Sequence, residues 1–351
     1  MIFGKVVQDQ PAAVRRDPCK ARPAAPSRFI RACRGLYWAV RALTALFLLA
    51  ALASPQAPAA DEASVCAAYR KDNTTQASES ATRPVAPPFS HGLLWRLERP
   101  GIPVSHVFGT MHVDTPALTR LPDPVRLALA ASNRLIMETQ LDDQAQADYS
   151  ARAFLPEGET LRTRLNSALI DAYLKIAGEY AVPDDIAIRL TPWAATNLIG
   201  RPAQQSGPSM EDVLRNAATQ AGKPIVALET MTELLGTLSA MPNEDQTEVL
   251  TDTICNHERV LRDADMLEEI YQRHDLAALM AFSDRDHHDP ALFARYRQRM
   301  LFDRSERMVR RLLPYLSRGG AFVAVGALHL TGEHGILYLL EKQGYRISLE
   351  Y

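Results

Sequence analysis

Two histidines in the sequence follow a glycine by three positions, in Gly109-Thr-Met-His112 and Gly326-Ala-Leu-His329, and none of the other seven histidines does. Chance at ordinary composition supplies about 0.4 such pairs. A glycine at that spacing lets a strand end turn sharply and lets the backbone approach a ligand closely. Both histidines come after β-type runs, Val107-Phe-Gly-Thr-Met111 and Val323-Ala-Val-Gly-Ala-Leu328. Two glutamates stand the same way, Glu138 after Leu135-Ile-Met137 and Glu229 after Ile225-Val-Ala-Leu228. Open sheets take ligands at the carboxyl edge of their strands, so a shared sheet would gather all four groups despite their separation in sequence. Imidazole and carboxylate are nitrogen and oxygen donors that suit Zn, Mn, Co or Fe better than Ca or Cu(I). A metal-activated water would make a hydrolase. Neither histidine lies in an H-E-x-x-H spacing, so such a site must be assembled from distant segments. Taken singly, each glutamate reads more readily as a strand-edge salt bridge.

The elements that would position these groups form a β-β-α-β opening. Leu93-Leu-Trp-Arg-Leu97 and Val104-Ser-His-Val-Phe108 flank the turn-rich Arg99-Pro-Gly-Ile-Pro103, which predicts a hairpin. A helix from Leu121-Pro-Asp-Pro124 to about Ser132 and a buried strand from Arg134 follow. Residues 142–221 read as mostly helical, broken at Pro183, Pro192 and the 201–209 loop. Ser209 with Asp212 suits a helix N-cap, and Thr230 with Glu233 has the spacing of a capping box. Residues 244–317 read as several charged helices interrupted near His287-His288-Asp289-Pro290. Ala321–Val325 is a strand, 333–343 a helix and 345–349 a last strand. No repeat of 20–50 residues is visible. The expected fold is α/β, with α+β as the alternative: a central mixed β-sheet flanked by helices, with a largely helical middle section.

The chain has 351 residues, 47% apolar and 23% charged, which is globular composition. Its formal charge of -2 hides an asymmetry: residues 1–53 hold nine Lys/Arg against Asp9 and Asp17, while the rest carries 30 basic and 39 acidic residues. The remainder lacks the positive field that drives phosphate-backbone binding, so no nucleic-acid partner is expected. The basic stretch precedes the apolar run 42–53, which ends in Ala51-Leu-Ala53. This is the three-part pattern of a signal peptide, too short to span a bilayer alone. The domain plan is therefore a signal peptide over 1–53, an Ala/Pro/Ser-rich mobile lead-in over 54–90 and one domain over 91–351. Periplasmic or secreted location is expected, with membrane contact only through the N-terminal segment if it stays uncleaved. Cys66 and Cys255 remain in the exported part, where a disulfide between them and two free buried thiols are both open readings.

Other chemistries find no support. There is no G-x-G-x-x-G, P-loop or G-x-S-x-G, no C-x-x-C, and no cysteine beside a plausible base. His91 and His106 read as surface or turn residues, and His257 and His274 as helical. His287-His288 with Asp284, Asp286 and Asp289 reads as a solvated polar loop, because adjacent side chains on one segment make no preorganised cage. His334 is placed to support the site from outside.

Several stretches together resemble the TraB/GumN family, which includes the TIKI proteases. They are Gly92-Leu-Leu-Trp-Arg-Leu, Phe108-Gly-Thr-Met-His112, Ile136-Met-Glu138, Ala227-Leu-Glu-Thr230 and Val325-Gly-Ala-Leu-His-Leu-Thr-Gly-Glu-His-Gly335, with Gly344-Tyr345. The resemblance spans about Gly92 to Tyr351 in the expected order. It implies a TIKI-like α/β domain and a metal-dependent proteolytic activity, with a divalent ion (Mn, Co or Zn) held by the two Gly-x-x-His motifs and a glutamate. Carried over residue by residue, His112 and His329 are metal ligands and Glu138 is the third ligand or general base. Glu229 is an auxiliary acid/base, and Arg304, where relatives carry an arginine, is a clamp for an anionic intermediate or substrate. Ser305 stands where an Asn often follows that arginine, and Met231 to Gly236 lacks a Gln common in relatives. The expected function is a metal-dependent hydrolase acting on a peptide or protein substrate. The rival is a non-catalytic binding or regulatory protein of a peptide or polysaccharide pathway.

Overall fold

The computed structural model describes residues 61–70, 86–112, 115–139, 143–203, 207–285 and 287–351. The signal-peptide reading of residues 1–53 lies outside them. Six strands form one mixed sheet in the order β4-β3-β5-β2-β1-β6. They are β1 Leu94–Arg99, β2 Ile102–Thr110, β3 Arg134–Thr139, β4 Ile225–Glu229, β5 Ala321–Gly326 and β6 Arg346–Leu349. β1 and β2 make the expected hairpin, with Arg99 opposite Ile102 and the intervening Gly101 at φ 76°, a backbone conformation that glycine takes without strain. β1 pairs antiparallel with β6 as well. β2, β5, β3 and β4 run parallel, so their carboxyl ends share one edge.

The inner strands read as continuous apolar runs because helices cover both faces of the parallel part. Leu135, Ile136 and Met137 of β3 and all of Ala321–Val325 of β5 are buried. They pack with Met308, Val309, Leu312 and Leu316 of the helix Asp303–Leu316 and with Met210, Leu214 and Ala218 of the helix Met210–Gln220. Both predicted capping motifs form: Ser209 and Thr230 each accept from the N3 backbone while Asp212 and Glu233 return the bond. The helix expected over 333–343 starts later, at Ile336, because Gly332 takes φ 82° and the chain turns there first.

The middle section is helical, as its pattern predicts, and has its own core. Leu169, Ile170 and Tyr173 pack with Trp193, Leu198, Leu250 and Ile254. Cys66 joins this core, fully buried, and forms a disulfide with Cys255 across 189 residues of sequence. Part of the stretch read as a mobile lead-in is therefore anchored: Glu62–Cys66 is a short helix capped by Asp61. Among the described residues, no helix is long and apolar enough to cross a membrane. Replacing both cysteines with serine is expected to cost about 2–5 kcal/mol of stability, read by denaturant unfolding against the oxidised wild type. An unchanged midpoint would show that the cross-link does not constrain the unfolded chain.

Candidate metal centre

The parallel register brings the expected residues to one edge. Thr110 at the end of β2 is opposite Gly326 at the end of β5, and Thr139 of β3 is opposite Glu229 of β4. His112 stands two residues past β2, and His329 closes a 3-10 turn, Ala327–His329, directly after β5. Glu138 and Glu229 sit in the last two positions of their strands.

The two glycine motifs pack on each other. A Cβ on Gly109 would lie 2.7 Å from Leu330 Cδ1 and 3.1 Å from Ala327 Cα, so the first motif needs its glycine to admit the turn that carries the second. The carbonyl of Gly109 also accepts from the buried Tyr271 hydroxyl at 2.6 Å. We expect Gly109→Ala to cost about 1–3 kcal/mol through overpacking and to displace His329. Thermal melts together with the imidazole NMR signals would check this, and an unperturbed His329 resonance would contradict it.

Buried charges then tie the edge together. Arg304 donates from Nε to Glu229 Oε2 at 2.8 Å, from Nη1 to the Met300 carbonyl at 3.0 Å, and from Nη2 to Glu138 Oε1. Met300 belongs to a π-helical turn, Gln298–Phe302, that feeds into the helix carrying Arg304. Glu229 is fully buried and its other oxygen accepts twice from Arg307, at 2.9 and 2.5 Å. Glu138 Oε2 accepts from the Gly326 N–H at 3.1 Å and lies 3.9 Å from His329 Nε2. The other ring nitrogen of His329, Nδ1, meets Ser305 Oγ at 2.8 Å. His112 Nδ1 lies 2.9 Å from Glu211 Oε1.

The electrostatics follow from these neighbours. Burial holds His329 down to about 4 against the pull of Glu138, so the ring is neutral near pH 7. Burial would raise Glu138, but the charges of His329, Arg304 and His112 with the Gly326 N–H bring it to about 2. Desolvation would lower His112, but contact with Glu211 and the charges of Glu211 and Glu138 together outweigh it and raise the ring to about 9. His329 as a neutral imidazole beside the ionised Glu138 has the protonation a divalent ion requires, whereas His112, protonated near pH 7, would release its proton on ligating one. Among the described residues, no three His, Cys, Asp or Glu side chains converge as a ready cage.

These shifts make the stability of the metal-free protein depend on pH. His329 falls from 6.5 to about 4 and Glu138 from 4.5 to about 2 on folding, so the unfolded chain binds more protons in both windows. Stability is then full above pH 6.5 and drops through pH 4 toward 2. His112 acts oppositely, its contribution present below 6.5 and lost as pH rises through about 9, but solvent screening of the exposed ring keeps it small. Melting temperatures of the metal-free protein are expected to decline from pH 6.5 downward, less steeply in His329→Gln. A level profile between pH 6.5 and 4 would contradict the burial of a neutral His329.

The edge thus gathers His329, Glu138, Glu229 and Arg304, with the exposed His112 beside Glu211 and near enough for its charge and that of Glu138 to act on each other. Sequence reasoning missed Glu211, Ser305 and Arg307. Glu211 is the second residue of a capped helix, and Arg307 lies one residue short of a helical turn from Arg304. Only the capping pattern Ser209-x-x-Asp212 marked the first of these segments. His334, expected to support the site, stacks on Phe302 at 4.4 Å, and His287 stacks on Phe293 at 3.4 Å. His106 lies on β2 beside Glu350 at 3.2 Å.

The chain is similar to Metalloprotease TIKI2 of Danio rerio, 24% identical over 336 residues that cover 79% of this chain and 64% of that protein. It is also similar to Metalloprotease TIKI homolog of Amphimedon queenslandica, 25% identical over 317 residues, covering 73% of this chain and 61% of that protein. The chain spans less than two thirds of the length of these curated relatives. No solved structure matches it. The family described as TraB/PrgY/gumN matches residues 93–349, which takes in all six strands whole and every residue of the edge just described. The chain belongs to the TraB/PrgY/gumN family.

Proposed function

We propose that this protein is a metal-dependent peptidase of the cell envelope, with a divalent ion (Mn, Co or Zn) held by His112, His329 and Glu138. The observation that carries the reading is the pair His329 Nε2 and Glu138 Oε2, 3.9 Å apart and in the neutral and ionised forms that ligate a cation. The similarity to two metalloproteases supports it. When bound, the ion would supply Lewis acidity toward a peptide carbonyl and toward water.

The chain's own residues divide the remaining work. A carboxylate held near 2 is a weak base, which favours Glu138 as ligand over Glu138 as proton acceptor. Glu229 has both oxygens engaged by arginines, so its part is to hold Arg304 in place. Arg304 in turn fixes Oε1 of Glu138 and leaves Oε2 toward His329. The N-terminal signal pattern and the Cys66–Cys255 disulfide both support export to an oxidising compartment.

Incubation of the metal-free protein with a peptide library, alone and with Mn, Co or Zn, tests the proposal. Cleavage that appears with metal and vanishes on chelation is the expected result. Binding of peptides without cleavage at any metal loading would favour the non-catalytic reading instead.

A further inference from the structure

We propose that Glu211 and Ser305 are positioning residues that grip the Nδ1 atoms of His112 and His329, so that both imidazoles present Nε2 to the ion. This inference rests on the metal-dependent reading above. Metal-ligating histidines ordinarily spend their second ring nitrogen on an outer partner, which fixes tautomer and ring orientation. Here His329 does so through a 2.8 Å hydrogen bond between Nδ1 and Ser305 Oγ, and the same atom of His112 lies 2.9 Å from Glu211 Oε1, an ion-pair contact that lacks hydrogen-bond alignment.

The two partners are themselves anchored. Glu211 follows the capping box of Ser209 and Asp212, which sets the start of its helix. Its neighbour Met210 meets the Tyr271 hydroxyl at 3.5 Å, and that hydroxyl donates to Gly109 of the first motif. The helix start and the strand end before His112 thus share one buried tyrosine. Ser305 is fully buried in the turn that also carries Arg304. One helical turn therefore orients His329 through Ser305 and Glu138 through Arg304.

Structural duty does not account for Glu211. Its side chain is only 14% exposed, yet among the described residues no Lys or Arg pairs with it. Neither of its oxygens accepts an aligned hydrogen bond, the 2.9 Å approach of His112 included. Burying a carboxylate with so little compensation costs stability. Holding an imidazole for a cation gives that cost a purpose, because the carboxylate also raises the basicity of the ligand.

The test is a Co²⁺ titration of the metal-free full chain, followed by calorimetry and by the visible absorption of bound cobalt. Wild type is compared with Glu211→Ala, Glu211→Gln, Ser305→Ala and the His112→Ala/His329→Ala pair, and melting of each metal-free variant controls for folding. Glu211→Ala and Ser305→Ala are expected to weaken Co²⁺ binding by about 10–100-fold at unchanged stoichiometry. Glu211→Gln, which keeps an acceptor oxygen and the side-chain shape, is expected to fall between wild type and Glu211→Ala. Should Glu211→Ala fail to fold, the loss in Glu211→Gln and Ser305→Ala decides. Wild-type affinity in folded Glu211 and Ser305 variants, with binding abolished in the histidine pair, would overturn the positioning role and leave the metal reading standing. No Co²⁺ uptake by wild type, or equal uptake by the histidine pair, would overturn both.

Discussion

Replacing Arg304 with methionine is expected to lower the unfolding free energy by about 3–5 kcal/mol, the cost of leaving a buried charge without its partner. The arginine side chain is 6% exposed and bridges Glu138 and Glu229, themselves 13% and 0% exposed. Methionine keeps much of the volume but supplies no donor, so two carboxylates face each other across an apolar gap. Arg307 still neutralises Glu229, which places most of the loss on Glu138. In a Glu229→Gln background the same replacement should cost less, since one of the stranded charges is already gone. Urea unfolding at pH 7 checks both statements. A loss under about 1 kcal/mol, the range of exposed ion pairs, would show that the bridge is a solvated surface contact.

Glu138→Gln should instead leave the chain folded, at some cost in stability, and remove the proposed cleavage. The single amide oxygen can accept from the Gly326 N–H or from Arg304 but not from both, so its NH2 group faces one of these donors, while Glu229 continues to balance the guanidinium. What disappears is the ionised Oε2 that faces His329. Peptide cleavage is expected to fall by more than the roughly 10–100-fold that outer partners of a metal command. The metal-free variant should stay folded but melt below wild type at neutral pH, because the stability contributed by the ionised carboxylate is gone, and its decline below pH 4.5 should be shallower. Cleavage within a few-fold of wild type would remove Glu138 from the site.

The parts of this edge that could be read from sequence are those that local pattern encodes. The hairpin before His112, the strands ending in Glu138 and Glu229, and the capping boxes at Ser209 and Thr230 all follow from apolar period and turn chemistry over a few residues. The pairing of the two Gly-x-x-His motifs was visible as a coincidence of spacing, and its reason became plain only when Leu330 and Ala327 were seen to occupy the space a Gly109 side chain would need. The contacts of Arg304, Arg307, Ser305 and Glu211 were not legible. Each depends on how a helix packs across the sheet edge, and a charged or hydroxylated residue on a helix gives no local sign of which distant group it will meet. The π-helical turn before Arg304 is of the same kind, since it shifts the register of that helix without a marked residue. The anchoring of Glu62–Cys66 was hidden by composition: the surrounding Ala, Pro, Ser and Thr read as a mobile linker, while one disulfide to Cys255 holds the segment against the helical core.

Elemental analysis of the purified protein, beside a His112→Ala/His329→Ala variant, after exhaustive dialysis and again after reloading with Mn, Co or Zn, decides whether the sheet edge holds a metal ion. About one ion per wild-type chain and none in the folded variant is the result the metal-centre account predicts. Equal metal content in the two proteins, or none in either with both folded, would contradict it.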